Sequence, residues 1–274
     1  MKNIILKLPS LILVIISILN ITAAAVGERG ECWFIKRHGT QRPDFPSGAD
    51  RLSEYNAYFI DDKLGVGERR IYLTFDAGYE NGNVERILDA MKEAGAVGAF
   101  FLLDNIILKN TDLVKRMKDE GHLVCNHTLR HRNLSGATPE EIATDLTSLE
   151  LLYLDKTGEK MDKYFRFPEG RYSESSLKAV SELGYKTVFW SFAYDDWDNA
   201  RQMPNDKAIN KVLSNTHNGA VMLFHPTSKT NAEIFPTLLS EWKKMGYTFG
   251  TLDELCSKQF RQSEKTPSLP SVTL

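Results

Sequence analysis

Apolar segments and amphipathic segments alternate through the middle of this sequence. The first apolar run, 71–75, is rich in β-branched and aromatic residues and stops at an aspartate, which predicts a buried strand. The next segment, 84–94, repeats its apolar residues at helical spacing and stops at Gly95, which predicts a helix. A strand followed by a helix, and then by another strand, is typical of a parallel sheet covered by helices.

The alternation continues almost to the end of the chain. Further strands are predicted at 97–103, 122–126, 165–167, 187–191, 220–224 and from 247 onward. Further helices are predicted at 113–120, 138–157, 173–183, 206–215 and 232–245. The helix near 138 has a clear start, because Thr138, Pro139 and Glu141 match a capping box with proline at the first helical position. About seven such units predict an α/β fold, a (β/α) barrel with its active site at the carboxyl-terminal face of the strands.

The N-terminal segment has a different pattern. Residues 8–21 are almost wholly apolar, follow Lys2 and Lys7, and precede three alanines that end at Ala25. This order predicts a signal peptide over residues 1–25. The alternative is an uncleaved membrane anchor, although the apolar stretch is short for a bilayer span. With either outcome, the rest of the protein is expected outside the cytoplasm, either secreted or attached to the membrane.

Two further segments lack the strand–helix pattern. Residues 26–69 mix turn formers with scattered aromatic residues, which predicts an irregular lead-in that packs against the barrel of residues 70–257. Residues 258–274 contain few apolar side chains, which predicts a disordered tail.

Composition adds mainly exclusions. The formal net charge of −2 over 274 residues gives no basic field for nucleic acid, and we expect a monomer that binds none. The three cysteines form no metal-binding knuckle. Cys125 is expected to be a small buried hydrophobe, and a bridge between Cys32 and Cys256 is possible.

Polar residues follow the predicted strands at one position after another. They lie in the segments Asp76–Gly82, His127–His131, Arg166–Gly170, Asp195–Trp197 and Leu223–His225. Taken singly, each has an ordinary explanation such as a turn, a helix cap or a surface ion pair. In a parallel barrel, however, residues at this position meet at one mouth. Two histidines four residues apart could both reach one divalent ion if their segment were helical.

These five segments, in this order, resemble the polysaccharide deacetylases of the NodB-homology type, the fourth carbohydrate esterase family. The resemblance covers about residues 70–255 and implies a deformed (β/α) barrel that hydrolyses an N-acetyl amide with the help of a metal. The first motif, Asp76–Gly82, and the pair Trp190-Ser191 resemble the branch of muramic-acid deacetylases that prepare muramic δ-lactam in spore cortex. The substrate implied is N-acetylmuramic acid in a peptidoglycan glycan strand that has lost its stem peptide.

The resemblance also implies catalytic roles. Asp76 would be the general base, kept ionised by Arg166, and His225 would be the general acid. Asp196 would pair with the imidazole of His225 and raise its pKa.

Further residues are implied to contact the substrate. Tyr79 and Trp197 would wall the sugar site, and Leu223 would line the acetyl pocket. The backbone N–H of Glu169 would donate to the oxyanion. The lactyl carboxylate of muramic acid calls for a cation, for which Arg171 and Arg166 are the candidates.

One position departs from the family pattern. Most members carry a second aspartate after the catalytic one, and that residue is a metal ligand; here the position is Ala77. His127 and His131 would then be the only protein ligands that the pattern retains. We expect one loosely held divalent ion, zinc first, with manganese, magnesium or calcium as alternatives.

Three other functions remain open at this stage. One is a structural envelope protein, although such a protein has no need for the polar residues at the strand ends. A related hydrolase could act on N-acetylglucosamine in peptidoglycan or chitin. Ala77 also suggests an inactive carbohydrate-binding homologue, although Asp76, Arg166, Asp196 and His225 are retained.

Overall fold

The computed structural model describes residues 30–257. The predicted signal peptide and the predicted C-terminal tail lie outside these residues. Within them, no helix is long and apolar enough to cross a membrane.

A sheet of parallel strands forms the centre of the fold. Its eight strands are β4 (Ala57–Tyr58), β5 (Arg70–Ala77), β6 (Gly98–Leu102), β7 (Leu123–Asn126), β8 (Asp162–Phe165), β10 (Lys186–Val188), β11 (Ala220–Phe224) and β12 (Thr248–Phe249). The spatial order is β11-β5-β6-β7-β8-β10-β4, and β12 pairs with β5. Beyond β10 the chain returns to β11, where Ser191 N–H donates to Val221 O at 2.9 Å. The deformed (β/α) barrel is thereby confirmed.

Helices cover the outside of the sheet. They are α1 (Asn83–Ala94), α2 (Asp104–Lys109), α3 (Thr111–Asp119), α4 (Pro139–Thr157), α5 (Glu174–Glu182), α6 (Asn205–Leu213), α7 (Lys229–Lys244) and α8 (Leu252–Ser257). The predicted capping box is present at α4, with Glu141 N–H donating to Thr138 Oγ1 at 3.2 Å. The short helix α2 was not predicted, because its six residues carry too few apolar positions to define a period.

Strand β5 shows how the sheet divides its side chains between two layers. Alternate residues Leu73, Phe75 and Ala77 are buried in the cluster that packs against the helices. Tyr72 belongs to a separate cluster inside the barrel. Because successive side chains of a strand point to opposite faces, Asp76 is directed to the interior side while its neighbour Ala77 packs among apolar side chains.

The lead-in contains short regular elements. They are strands β1 (Glu31–Cys32), β2 (Lys36–His38) and β3 (Gln41–Asp44), a 3₁₀ helix at Ala49–Tyr55, and β4. Strand β4 pairs in parallel with β10, so the lead-in contributes a strand to the main sheet. Strand β1 pairs with the short strand β9 (Arg171–Tyr172), next to the carboxyl-terminal face of the barrel.

All three cysteines are free. Cys125 is buried, as expected, and belongs to the interior cluster of the barrel. Cys32 is exposed whereas Cys256 is buried, and the possible bridge between them is not formed.

Candidate active site

A cavity of about 700 Å³ opens at the carboxyl-terminal ends of the strands. The residues that line it are Ile35, Arg37, Asp76, His131, Glu169, Trp190, Ala193, Tyr194, Asp195, Trp197, Leu223 and His225. Residues predicted from five separate segments of the chain are therefore brought to one place. A larger cavity of about 1230 Å³ lies beside the lead-in, and none of the predicted site residues lines it.

Asp76 and Arg166 form an ion pair beneath this cavity. The guanidinium Nη1 donates to Asp76 Oδ1 at 2.8 Å, and Nη2 donates to Thr74 Oγ1 at 2.9 Å. The Arg166 side chain is fully buried, and its Nε donates to the carbonyl of Val188 at 2.9 Å. Burial, the largest single effect, raises the pKa of Asp76, but Arg166, His127 and His225 together outweigh it, and the net pKa lies below the usual value. Asp76 is therefore held as a carboxylate.

His225 and Asp196 form the second charged pair. The ring Nδ1–H of His225 donates to Asp196 Oδ1 at 2.7 Å, and the backbone N–H of His225 donates to Asp196 Oδ2 at 2.8 Å. Asn231 Nδ2 adds a further bond to Oδ2 at 2.6 Å. Burial lowers the pKa of His225, but the Asp196 carboxylate more than offsets it, and the net pKa lies above the usual histidine value. The pair therefore favours the protonated form of the imidazole.

The segment that carries the two site histidines is not helical. Thr128 has φ 73° and His131 has φ 57°, so the backbone enters the left-handed region twice in four residues. The premise of a helical face was wrong. Nevertheless, the rings of His127 and His131 lie 5.0 Å apart between centroids, because this irregular turn folds His131 back over His127.

His127 is positioned as a neutral imidazole. Its Nδ1–H donates to the carbonyl of Arg166 at 2.8 Å, and Nε2 lies 3.4 Å from Asp76 Oδ2. Burial lowers the pKa of His127 to about 4, although the Asp76 carboxylate acts in the opposite direction. A backbone acceptor on one ring nitrogen and a free lone pair on the other is the usual arrangement of a metal-binding histidine.

The aspartate that most family members use as a further metal ligand is absent, as the sequence indicated. Ala77 is fully buried beside Phe75 and does not line the cavity. Among residues 30–257, no group of three or more histidine, cysteine, aspartate or glutamate side chains could hold a metal ion. The two imidazoles thus fit an ion only if water or substrate supplies the remaining ligands.

The predicted substrate-binding residues differ in their positions. Trp197 lines the cavity with 59% of its surface exposed, and Leu223 lines it from β11. Tyr79 is also exposed, and its hydroxyl accepts a bond from Asn199 Nδ2 at 3.0 Å, which links two loops beside the cavity. Glu169 lines the cavity in a left-handed conformation with φ 56°.

The two arginines expected near a substrate carboxylate are both engaged elsewhere. Arg166 is fully buried under Asp76, so it is wrong as a contact for the lactyl group. Arg171 is exposed, but its Nε donates to Glu169 Oε2 at 2.8 Å, and it does not line the cavity.

Several cavity residues were not predicted. Ile35 and Arg37 come from the lead-in, which has no periodicity from which their position could be read. Tyr194 also lines the cavity, and its hydroxyl donates to Asn231 Oδ1. Asn231, which does not line the cavity, donates from Nδ2 to Asp196 Oδ2. The sequence did contain a signal for Asn231. It is a polar residue near the start of helix α7, which closely follows His225, and most of the buried residues of that helix are apolar.

Comparison with known proteins identifies relatives of the whole domain. Residues 63–188 match the family model described as polysaccharide deacetylase. The peptidoglycan-N-acetylmuramic acid deacetylase PdaA of Bacillus subtilis is 36% identical over 249 residues, which is 90% of this chain and 92% of that protein. A peptidoglycan-N-acetylglucosamine deacetylase of Bacillus cereus is 31% identical over 202 residues, covering 72% of this chain and 92% of that protein.

Solved structures agree with these relatives. The structure of Bacillus subtilis PdaA, a family 4 carbohydrate esterase, superposes with a TM-score of 0.78 over 83% of this chain and 97% of that chain. A family 4 carbohydrate esterase from Bacillus anthracis is 33% identical, with a TM-score of 0.68 over 84% of this chain and 97% of that one. Deacetylases of this family are generally metal-dependent. From its sequence and its fold, this chain belongs to the polysaccharide deacetylase family, the family 4 carbohydrate esterases.

Proposed function

We propose that this protein is a hydrolase that removes the N-acetyl group of N-acetylmuramic acid in peptidoglycan. The observation that carries the proposal is that Asp76, paired with Arg166, and His225, paired with Asp196, line the same cavity. An amide is cleaved by water only when a base activates that water and an acid protonates the departing amine. Two groups with opposite protonation states at one site meet both needs.

Asp76 acts as the general base. Arg166 keeps it ionised, and the remaining bonds of Arg166 to Thr74 and Val188 fix the direction of the carboxylate. As water attacks the acetyl carbon, its proton passes to Asp76 and the carbonyl oxygen becomes an oxyanion. Because the hydrogen bonds to Thr74 and Val188 hold Arg166 in place, the carboxylate of Asp76 does not have to reorient during this step.

His225 acts as the general acid. Its Nδ1–H is bonded to Asp196, which leaves Nε2 as the nitrogen that can give a proton to the leaving amine. When the oxyanion collapses, the C–N bond breaks and the nitrogen takes this proton. The products are acetate and a free amine on the sugar.

The oxyanion requires donors of its own. We assign to this role the backbone N–H of Glu169, whose left-handed conformation lies at the cavity wall. His127 and His131 would hold a divalent ion; imidazole ligands suit zinc, and manganese, magnesium and calcium are the alternatives. When bound, that ion supplies Lewis-acid polarisation of the acetyl carbonyl.

The substrate assignment depends on the relatives and on the first motif. PdaA, at 36% identity over nearly the full length, is named for N-acetylmuramic acid. Peptidoglycan lies outside the cytoplasmic membrane, which agrees with the predicted signal peptide and with a role at the cell envelope or in spore cortex. The glycan strand would lie across Trp197 and Tyr79, with the acetyl methyl against Leu223.

An acetate-release assay tests the proposal. Peptide-stripped glycan strands and intact peptidoglycan would be incubated with the protein, with and without a chelator. We expect acetate from the stripped strands, and a loss of activity with the chelator that added zinc restores. Absence of acetate from every glycan, with zinc present, would identify the protein as an inactive carbohydrate-binding homologue instead.

A further inference from the structure

The cavity has one permanent positive charge at its wall. Among the described residues that line it, Arg37 is the only lysine or arginine, whereas Asp76, Glu169 and Asp195 are acidic. The two arginines first considered for anion binding, Arg166 and Arg171, are already paired with carboxylates. No carboxylate of residues 30–257 lies within ion-pair distance of Arg37.

The backbone around Arg37 directs its side chain toward the cavity. It lies in β2, where the pairing with β3 loses register between Lys36 and His38. Such irregularities redirect a side chain out of a regular ladder. Arg37 Nη1 donates to the carbonyl of Ala193 at 2.5 Å, three residues before Asp196. The lead-in is thereby attached to the loop that carries the partner of His225.

Most of the guanidinium remains available after this bond. An arginine has five N–H donors in a planar fork, and that fork matches the two oxygens of a carboxylate. Among residues 30–257, the side chain of Arg37 makes a single hydrogen bond, from Nη1 to the carbonyl of Ala193. An unpaired arginine, held at the wall of a sugar cavity by a backbone carbonyl, is suited to bind an anionic group of the substrate.

We propose that Arg37 binds the free lactyl carboxylate of muramic acid and thereby selects glycan strands without a stem peptide. This inference rests on the proposed function. The lactyl group is attached to the sugar carbon next to the one that carries the N-acetyl group, so it must lie near the cavity wall when the acetyl group is in place. In glucosamine this position is a hydroxyl. Where the stem peptide is attached, the carboxyl is an uncharged amide.

The test compares acetate release from three glycans by four proteins. The glycans are peptide-free strands, the same strands with the lactyl carboxyl converted to its methyl amide, and chitin oligomers. The proteins are the wild type, Arg37→Ala, Arg37→Lys and Lys36→Ala. Lys36→Ala is the matched control, because it removes the same charge from the adjacent residue, which does not line the cavity.

A direct contact predicts a substrate-dependent effect. Arg37→Ala should lower kcat/KM on peptide-free strands by roughly 10- to 100-fold, the usual range for a hydrogen bond between charged groups. Its kcat/KM on the methyl amide should equal that of the wild type. Arg37→Lys should recover part of the loss, since it retains the charge without the fork. Lys36→Ala should match the wild type on all three glycans.

The alternatives give different patterns. If Arg37→Ala lowers activity equally on all glycans, Arg37 only supports the Ala193 loop, and carboxylate binding is overturned. If Arg37→Ala matches the wild type on peptide-free strands, the inference is overturned while the proposed function stands. If the wild type releases no acetate from any glycan, the proposed function fails, and this inference fails with it.

Discussion

At the scale of single residues, three neighbouring ionisable groups of the site favour three different charge states. Asp76 is charged because a buried arginine lies 2.8 Å away. His127 is neutral because it is buried with a backbone carbonyl as its partner. His225 favours the protonated form because Asp196 accepts its Nδ1–H and raises its pKa. The charge state of each group thus follows from its ion-pair or hydrogen-bond partner and from its burial, rather than from its residue type.

Replacing either catalytic group should reduce the rate strongly. Asp76→Asn and His225→Ala are each expected to lower kcat by about two to four orders of magnitude, the usual contribution of a general base or acid. Circular dichroism should show an unchanged fold. Asp198→Asn is the matched control, since Asp198 pairs with Arg201 and does not line the cavity. Acetate release close to the wild-type rate from either variant would remove these residues from the mechanism.

The pH dependence should follow from the two shifted pKa values. Activity requires ionised Asp76, whose pKa is lowered, and protonated His225, whose pKa is raised. The acid limb should therefore lie at low pH and the alkaline limb above the ordinary pKa of histidine. Asp196→Asn removes the charge that raises the pKa of His225, while Asp76 and Arg166 still face the ring, so the alkaline limb should move to lower pH. A profile of kcat/KM against pH measures this shift, and an unmoved alkaline limb would show that another group is the acid.

At the scale of elements, the strand ends were predictable and the loops after them were not. Runs such as 71–75 and 220–224 identify buried strands, and parallel strands must present their carboxyl ends at one face, so Asp76 and His225 could be placed together. The turn at His127–His131 could not be read in the same way. It uses a left-handed threonine, which sequence propensity disfavours. Such strain is typical of functional sites, where surrounding contacts hold it in place.

The position of Arg37 at the cavity wall could not be predicted from the sequence either. Periodicity predicts elements that bury one face, whereas the strands of the lead-in have two to four residues, and β2 is exposed along its whole length. Ala77 shows a further limit. The family pattern identifies it as a missing ligand, but only the structure shows its burial against Phe75 in the helix-facing layer.

A zinc titration tests whether the loop His127–His131 holds the metal ion. His127→Ala should abolish zinc binding in a calorimetric titration, because one imidazole cannot hold the ion. Ala77→Asp should leave the zinc affinity close to that of the wild type, because the side chain at this position is buried in the helix-facing layer and does not line the cavity. A gain of about tenfold or more, the usual effect of one added ligand, would show instead that this position faces the metal.

At the scale of the whole molecule, the lead-in is part of the barrel rather than an attachment to it. Trp33 is 3% exposed and stacks on Phe189 beyond β10, with ring centroids 4.8 Å apart. Its Nε1–H donates to the carbonyl of Trp190 at 2.8 Å. Residues that line the cavity thus depend on a segment outside the 63–188 region matched by the family model.

Loss of this packing should destabilise the fold. Trp33→Ala is expected to lower the free energy of unfolding by about 3–5 kcal/mol, as large truncations in a core do. Phe34→Ala is the control, because Phe34 is 58% exposed and should change stability by about 0.5 kcal/mol or less. Urea unfolding followed by fluorescence measures both values. Equal stability of the two variants would mean that the lead-in does not contribute to the core.

The central claim concerns which sugar loses its acetyl group. Peptide-stripped glycan strands would be treated with the protein and zinc, digested to disaccharides and analysed by tandem mass spectrometry. We predict the loss of one acetyl group from muramic acid, with glucosamine unchanged, and no loss in a parallel sample treated with Asp76→Asn. Loss confined to glucosamine would leave the chemistry in place but contradict the muramic acid assignment.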